Sequence, residues 1–109
     1  MNLDRPKGLK AIRCRLRLAH TWESPPLHIL VTAEEGLTVA SCLDFTVATH
    51  GDTIDEALED LKAMLAEHVR DYIDRGIPEK LIRPDAEEYW KLFYKLELQS
   101  QRRLLNRMK

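Results

Sequence analysis

Long apolar runs are missing from this chain, and it has few cysteines, prolines and glycines. No apolar stretch approaches the roughly 20 residues that a membrane-spanning helix needs, so we expect no membrane span. The N-terminal residues also lack the apolar segment of a secretory signal. The sequence therefore predicts a cytoplasmic protein, without internal repeats or low-complexity segments.

Metal and cofactor chemistry have little support in the composition. The only cysteines are Cys14 and Cys42, and the four histidines show no paired spacing. A zinc site needs closely spaced Cys or His ligands, and a phosphate site needs a Gly-rich loop that is absent here. We predict no metal and no cofactor. A disulfide is possible but not expected in a reducing compartment, and both cysteines are predicted to be small buried residues in strands.

The charges are unevenly distributed along the 109 residues. The composition, with 44% apolar and 32% charged residues, is typical of one soluble globular domain with a modest core. Net charge is −1, but residues 34–75 hold eleven acidic and three basic residues, a local balance of −8. Both ends are basic. Such asymmetry concerns partners rather than fold.

The first half of the chain shows strand patterning. Residues 10–18 alternate, with Ile12 and Cys14 on one face and Arg13, Arg15 and Arg17 on the other. The sequence predicts three further strands, the first two joined by a hairpin loop at residues 34–36: 27–33, 37–42 and 45–50.

A capped amphipathic helix is predicted after the last strand. Thr53 can be its N-cap, with Glu56 three residues later as in a capping box. Gly76 is the expected C-terminal cap, and Pro78 prevents continuation. Apolar residues recur at three- and four-residue spacing on one face, and carboxylates occupy the other.

A second, longer helix is predicted from Asp85, with Glu88 in a capping position. No Gly or Pro follows residue 84, so the helix could reach about 36 Å. Residues 79–83 could form a short strand or an extended link. The predicted class is α+β, with a three- to four-stranded antiparallel sheet packed by one helix in two layers. Residues 1–84 would form this domain and residues 85–109 the C-terminal helix.

The segment from residue 27 to residue 75 carries a resemblance. Its third strand runs into the Gly-Asp-Thr turn and acidic helix of GDTIDEALEDLKAML. This arrangement resembles the N-terminal domain of the HicB antitoxin family. The resemblance implies a partial RNase H-like fold that neutralises a small basic RNA-cleaving toxin of the HicA type. The chain departs from the family at Phe45-Thr46-Val47, where members often have a Pro-Gly-Cys bend, and it has no recognisable DNA-binding module.

The acidic helix face permits two interpretations. It can be an ordinary solvated surface, which explains most charged runs. It can also bind a basic partner by electrostatic complementarity. The second interpretation assigns partner binding to Asp55, Glu56, Glu59 and Asp60.

Enzymatic activity is not predicted. An RNase H nuclease needs several carboxylates around Mg²⁺, and Asp44 is the only acid between residues 36 and 51. His50 could be a general base, but the favoured interpretation is a partly exposed histidine at a strand end. Cys42 has no histidine that the sequence forces to approach it.

The end of the second helix suggests self-association. Beyond Ser100 it outruns its own domain, so Leu104, Leu105 and Met108 are predicted to contact a second copy of the chain. The alternative function is a nucleic-acid-binding regulatory module. Its candidate contacts are Arg13, Arg15, Arg17, Arg102 and Arg103.

Overall fold

A meandering antiparallel sheet forms the centre of the molecule. The computed structural model describes residues 6–18 and 22–108, while residues 1–5, 19–21 and 109 lie outside it. Six strands form within this part of the chain: β1 (Lys7–Cys14), β2 (Arg17–Leu18), β3 (Trp22–Glu23), β4 (Leu27–Glu34), β5 (Leu37–Cys42) and β6 (Val47–Gly51). Four of them form one sheet in the order β1-β4-β5-β6, and β2 pairs only with β3.

The β4–β5 hairpin closes through a tight turn at Glu35 and Gly36. Both residues have positive φ, 50° and 80°, as a two-residue turn of the I′ type requires. This turn matches the right-handed twist of the strands and fixes their register, with Glu34 opposite Leu37 and Leu30 opposite Ser41. The hairpin predicted from the sequence is thereby confirmed.

The first and last strands of the main sheet have other bounds than the sequence predicts, and β1 begins at Lys7 rather than at residue 10. The predicted strand 10–18 ends at Cys14, because Ser24 captures the chain there: its N–H donates to the Leu16 carbonyl and its Oγ accepts from the Leu16 N–H, both at 2.8 Å. The last strand starts at Val47 rather than residue 45, because residues 43–46 form a turn in which Thr46 has a φ of 55°.

Helix α1 (Ile54–Asp74) packs its apolar stripe on one face of the sheet. Leu61 and Leu65 are buried and Leu58 is half-buried, whereas Glu59 and Asp60 are exposed. This orientation is the one that the spacing of the leucines predicts. The buried residues of this first core come from four elements and the segments between them: Leu27, Ile29, Ala40, Cys42, Phe45, Val47, Ala57, Leu61, Leu65, Val69 and Leu81. Gly76, with a φ of 73°, follows the helix as predicted.

Helix α2 (Glu87–Arg107) packs on the opposite face and adds a third layer. Its Phe93 is fully buried with Leu30 and Leu43 in a second core. The sequence predicted two layers, and the structure has three. The α+β class is confirmed. The second helix begins two residues later than predicted, because the Asp85 carboxylate accepts from the adjacent N–H of Ala86 at 2.8 Å and caps no residue further along.

The link between the helices is anchored to the turn at residues 43–46. A 3-10 turn (Pro78–Leu81) precedes an extended segment, so residues 79–83 form no strand. The N–H of Arg83 donates to the Asp44 carbonyl, and that of Asp85 to the Leu43 carbonyl, each at 2.8 Å. These bonds direct the chain across the sheet end to its second face. Among the residues that the structure describes, no helix is both long and apolar enough to span a lipid bilayer.

The contact between β6 and α1 leaves no room for a side chain at Gly51. A Cβ there would lie 2.9 Å from Glu56 Cβ and 3.0 Å from the Ala57 backbone nitrogen. We expect Gly51→Ala to destabilise the fold by about 1 to 3 kcal/mol, because the helix backbone must move away from the strand. Urea denaturation measures this change.

Gly8→Ala is the matched control for this substitution. A Cβ at Gly8 would meet only the ends of the Leu92 and Leu96 side chains, which can change rotamer. Its cost should therefore be smaller than that of Gly51→Ala. An equal or larger loss of stability at Gly8 would contradict the proposed backbone clash.

Candidate functional site

The start of α1 is tied to the sheet by side-chain hydrogen bonds. The Thr53 Oγ1 accepts from the Glu56 N–H at 3.1 Å, as the predicted N-cap requires. The Glu56 carboxylate turns back and accepts from the Asp52 N–H at 3.0 Å, one residue before the position that a standard capping box uses. The Thr49 hydroxyl of β6 donates to the Ala57 carbonyl at 2.7 Å. The first turn is therefore held in place from both sides.

The acidic face of α1, which we define as Asp55, Glu56, Glu59 and Asp60, is exposed to solvent. The ion pairs formed among the described residues leave all four of these carboxylates without a cationic partner. Glu56 is partly committed through its cap hydrogen bond, so Asp55, Glu59 and Asp60 are the available charges.

The other end of α1 differs in charge. There Asp71 pairs with Arg75 at 3.3 Å, one helical turn away. No basic side chain of α1 precedes Lys62, so the first two turns keep their negative charge. Negative charge at this end is favoured by the helix dipole, which stabilises the arrangement without a counter-ion. The predicted partner-binding residues thus lie together on one rigid, uncompensated surface.

The arginines predicted to contact nucleic acid do not form one row. Arg13 lies on the face that α2 covers, and its guanidinium donates to both carboxylate oxygens of Glu97, one of these bonds being 2.9 Å long. It also lies 5.8 Å from the centre of the Phe93 ring. Arg15 and Arg17 lie 3.7 Å and 3.5 Å from Glu23. The expected exposed row on one strand is wrong, because β1 ends at Cys14.

Arg102 and Arg103 lie elsewhere, on the exposed last two turns of α2. Phe93 is the last buried residue of this helix, and every residue from Leu98 to Met108 is exposed. The residues predicted to mediate self-association are among them, with exposed fractions of 59% for Leu104, 61% for Leu105 and 76% for Met108. The packed half of α2, up to Glu97, and its projecting half, from Leu98 onward, therefore have different environments.

The second face of the sheet carries a polar network that the sequence did not predict. The Asp44 carboxylate accepts from the His28 backbone N–H at 2.7 Å and lies 3.0 Å from the His28 Nδ1. The His28 Nε2 lies 3.3 Å from Arg13, which binds Glu97. The network joins residues up to 84 positions apart, so no local motif announces it.

Within this network Asp44 makes structural contacts to His28. Its carboxylate holds the start of β4 against the turn that follows β5. In residues 6–18 and 22–108, no three His, Cys, Asp or Glu side chains converge as metal ligands would. His50 is exposed on β6.

The two cysteines have different environments. Burial raises the pKa of the Cys42 thiol to about 12, with the nearby Asp44 charge adding to the shift. The thiol therefore stays protonated near neutral pH and is a poor nucleophile. Cys14 is exposed at the end of β1, so the prediction that both cysteines are buried is wrong for this residue. Its strand ends beside it, which leaves the side chain uncovered.

The fold and the site define a small α+β protein with a capped, acidic surface helix. No family model matches the chain, and neither the curated proteins nor the solved structures contain a match to it.

The Arg13–Glu97 pair makes part of the stability dependent on pH. Hydrogen bonding from Arg13 lowers the pKa of the Glu97 carboxyl below its ordinary value of 4.5. A carboxyl with a lowered pKa in the folded state stabilises the fold above its ordinary value, and this contribution disappears as the pH falls through the folded-state value. We expect the difference in urea midpoint between wild type and Glu97→Gln to shrink as the pH falls below 4.5.

Glu87→Gln provides the control for this measurement. Glu87 pairs with Lys91 at 3.4 Å on the open side of α2, where both side chains are highly exposed. Exposed pairs of this kind contribute little, so its difference from wild type should stay small at every pH. A Glu97→Gln difference that remains constant across the acid range would contradict the assignment.

Proposed function

We propose that this protein is a HicB-like, antitoxin-type interaction protein that binds and masks a small basic RNA-cleaving partner. The observation that carries the proposal is the acidic face of α1. It presents carboxylates that no described basic side chain neutralises, on a helix whose start is anchored to β6. A solvated face needs no such anchoring, whereas a recognition surface benefits from being fixed before its partner arrives.

The order of elements supports the HicB-like part of the proposal. The elements follow one another in the order that the resemblance to the family implies: the β4–β5 hairpin, β6, the Gly51-Asp52-Thr53 turn and α1. Helix α1 lies across the sheet, in the arrangement that the resemblance implies. The antiparallel sheet and the crossing helix are also common elsewhere, so the charge of the surface contributes the functional part of the argument.

Charge explains why masking would work. A protein that cleaves RNA must bind phosphates with Lys and Arg side chains. An acidic surface in a segment with a local balance of −8 competes for the same cations. The partner therefore loses access to its substrate when it is bound here, and this chain needs no catalytic residue of its own.

Neutralising the acidic face tests this proposal. We expect the triple variant Asp55→Asn, Glu59→Gln and Asp60→Asn to bind the basic partner about 10- to 100-fold more weakly, because three exposed charge contacts are removed. Calorimetric titration with a small basic RNA-cleaving protein of the HicA type measures the loss. The variant should stay folded with only a slightly lower urea midpoint, since none of the three side chains is buried and the loss is limited to favourable charge near the helix N-terminus.

The control variant removes equal charge elsewhere, with Asp74→Asn, Glu87→Gln and Glu88→Gln. It should bind as wild type does. Equal weakening by both variants would show a general charge effect and contradict a defined surface. Tight binding of labelled RNA by the chain alone, falling steeply with salt, would instead favour the nucleic-acid alternative through Arg102 and Arg103.

Self-association through the projecting half of α2 is a second part of the proposal. Leu104, Leu105 and Met108 are exposed apolar residues on the last two turns, and exposed groups of large apolar side chains commonly mark interaction sites. A second copy of the same helix is the simplest surface to cover them.

Charged substitutions in this segment test the self-association. We expect Leu104→Glu with Leu105→Glu to convert an oligomer to a monomer, because buried carboxylates without partners are costly. Light scattering on the full chain measures the mass. Gln99→Glu with Gln101→Glu adds the same charge nearby and should leave the mass unchanged. A wild-type chain that is monomeric at all accessible concentrations would contradict this part.

A further inference from the structure

The two edges of the main sheet are built differently. At the β1 edge, Lys7 and Lys10 flank an irregularity in register between Gly8 and Lys10. Helix α2 also packs over this strand, with Leu92 and Leu96 close to Gly8. Lysines, bulges and covering helices are the usual means by which proteins prevent a further strand from pairing at a sheet edge.

The β6 edge has neither a lysine nor an irregular register, and α1 packs on one face of this strand. The strand Val47–Gly51 contains no Lys or Pro and pairs with β5 without interruption, from Thr38 opposite Gly51 to Cys42 opposite Val47. Among the described strands, none pairs with its outer side. Its backbone groups on that side are therefore available to an additional strand.

A groove of about 440 Å³ runs between this edge and α1. Residues 48–50 form the strand side. On the helix side, Ala63 and Met64 lie between Asp60 and Glu67. The Met64 side chain is 44% exposed although it is large and apolar. One side of the groove is thus the outer backbone of β6. The other side, formed by α1, has an apolar centre with a carboxylate at each end.

The chemistry of the groove selects an extended, cationic occupant. Asp60 and Glu67 are seven residues apart, which is about 10 Å along a helix. Side chains on one face of a strand are about 7 Å or 13 Å apart for spacings of two or four residues. Flexible Lys or Arg side chains cover the remaining few ångströms, so two cationic residues four positions apart can reach both carboxylates, with one apolar residue of the same strand face between them.

A second copy of this chain fits the groove less well. Antiparallel pairing of β6 with β6 would bring two sets of Asp60 and Glu67 toward the same two-fold axis. Like charges facing each other oppose association, whereas a basic segment neutralises them. The strand β6 itself contains no Lys or Arg side chain.

We propose that β6 and α1 form a strand-addition site for an extended segment of a basic partner protein. The segment pairs its backbone with β6, places an apolar side chain on Ala63 and Met64, and places cationic ones at Asp60 and Glu67. The nature of the partner rests on the proposed function, while the groove is argued from its own geometry. Main-chain pairing supplies affinity here, and the groove wall supplies specificity.

A designed peptide tests the site without requiring the natural partner. The probe is an acetylated seven-residue peptide, Thr-Lys-Thr-Val-Thr-Lys-Thr, which carries Lys, Val and Lys in succession on one face, titrated into the full chain. We expect slower amide hydrogen exchange at Ala48 and His50, whose N–H groups point away from β5, because their strand gains a neighbour. The same peptide with N-methyl groups on alternate amides of its pairing edge cannot form the ladder, so its affinity should be at least about tenfold lower.

Charge variants of the protein complete the test. Asp60→Asn with Glu67→Gln should weaken binding of the lysine–valine peptide about tenfold. Asp74→Asn with Glu88→Gln removes equal charge outside the groove and should change affinity less than about twofold. A peptide with glutamate in place of lysine should not bind.

Three results would overturn the proposal. The first is equal binding of the N-methylated peptide, which would indicate attraction by charge alone. The second is the absence of binding by the lysine–valine peptide. The third is protection of Ala48 and His50 that grows with protein concentration alone, because a second copy would then occupy the edge.

The outcomes also separate this inference from the proposed function. If the peptide fails while the basic partner still binds through Asp55 and Glu59, the strand-addition site is refuted and the masking function stands. If the peptide binds at β6 but no basic protein is bound by the acidic face, the masking function is refuted and the groove remains a strand-addition site.

Discussion

The close contact between β6 and the first turns of α1 determines much of this structure. Ala57 is fully buried there, and the adjacent strand residue Gly51 has no side chain to hold the helix away. The Thr49 hydroxyl bridges the remaining gap by donating to the Ala57 carbonyl. This contact sets the width of the groove beside β6, and it also directs the acidic face of α1 outward. Packing and the surface proposed to bind a partner therefore depend on the same few atoms.

The second face of the sheet is organised by polar contacts around a small apolar core. Asp44 binds the backbone and ring of His28, and Arg13 connects His28 to Glu97 of α2. Phe93 fills the space beneath these groups. Since the network ends at Glu97, it coincides with the end of the packed half of α2. Beyond it the helix projects with exposed leucines and arginines.

The result is a molecule with two surfaces of opposite character at different places. The α1 side carries uncompensated carboxylates and an open strand edge, while the projecting end of α2 carries apolar and cationic side chains. The surface proposed for partner binding and the one proposed for self-association therefore share no residue.

Local signals in the sequence were sufficient for the four strands of the main sheet, the two helices and the acidic face, but not for the short pair of β2 and β3. Alternation identified the strands, Thr53 identified the start of α1, and the leucine spacing identified its buried face, because each of these depends on residues within one or two turns. The tertiary structure alone decided which surface each element meets. The alternating pattern predicts Arg13 on the outward face of a strand, yet its guanidinium pairs with Glu97, 84 positions away. The seam of α2 has the same pattern whether it packs on its own sheet or on another copy, because periodicity specifies that a face is buried and not what buries it.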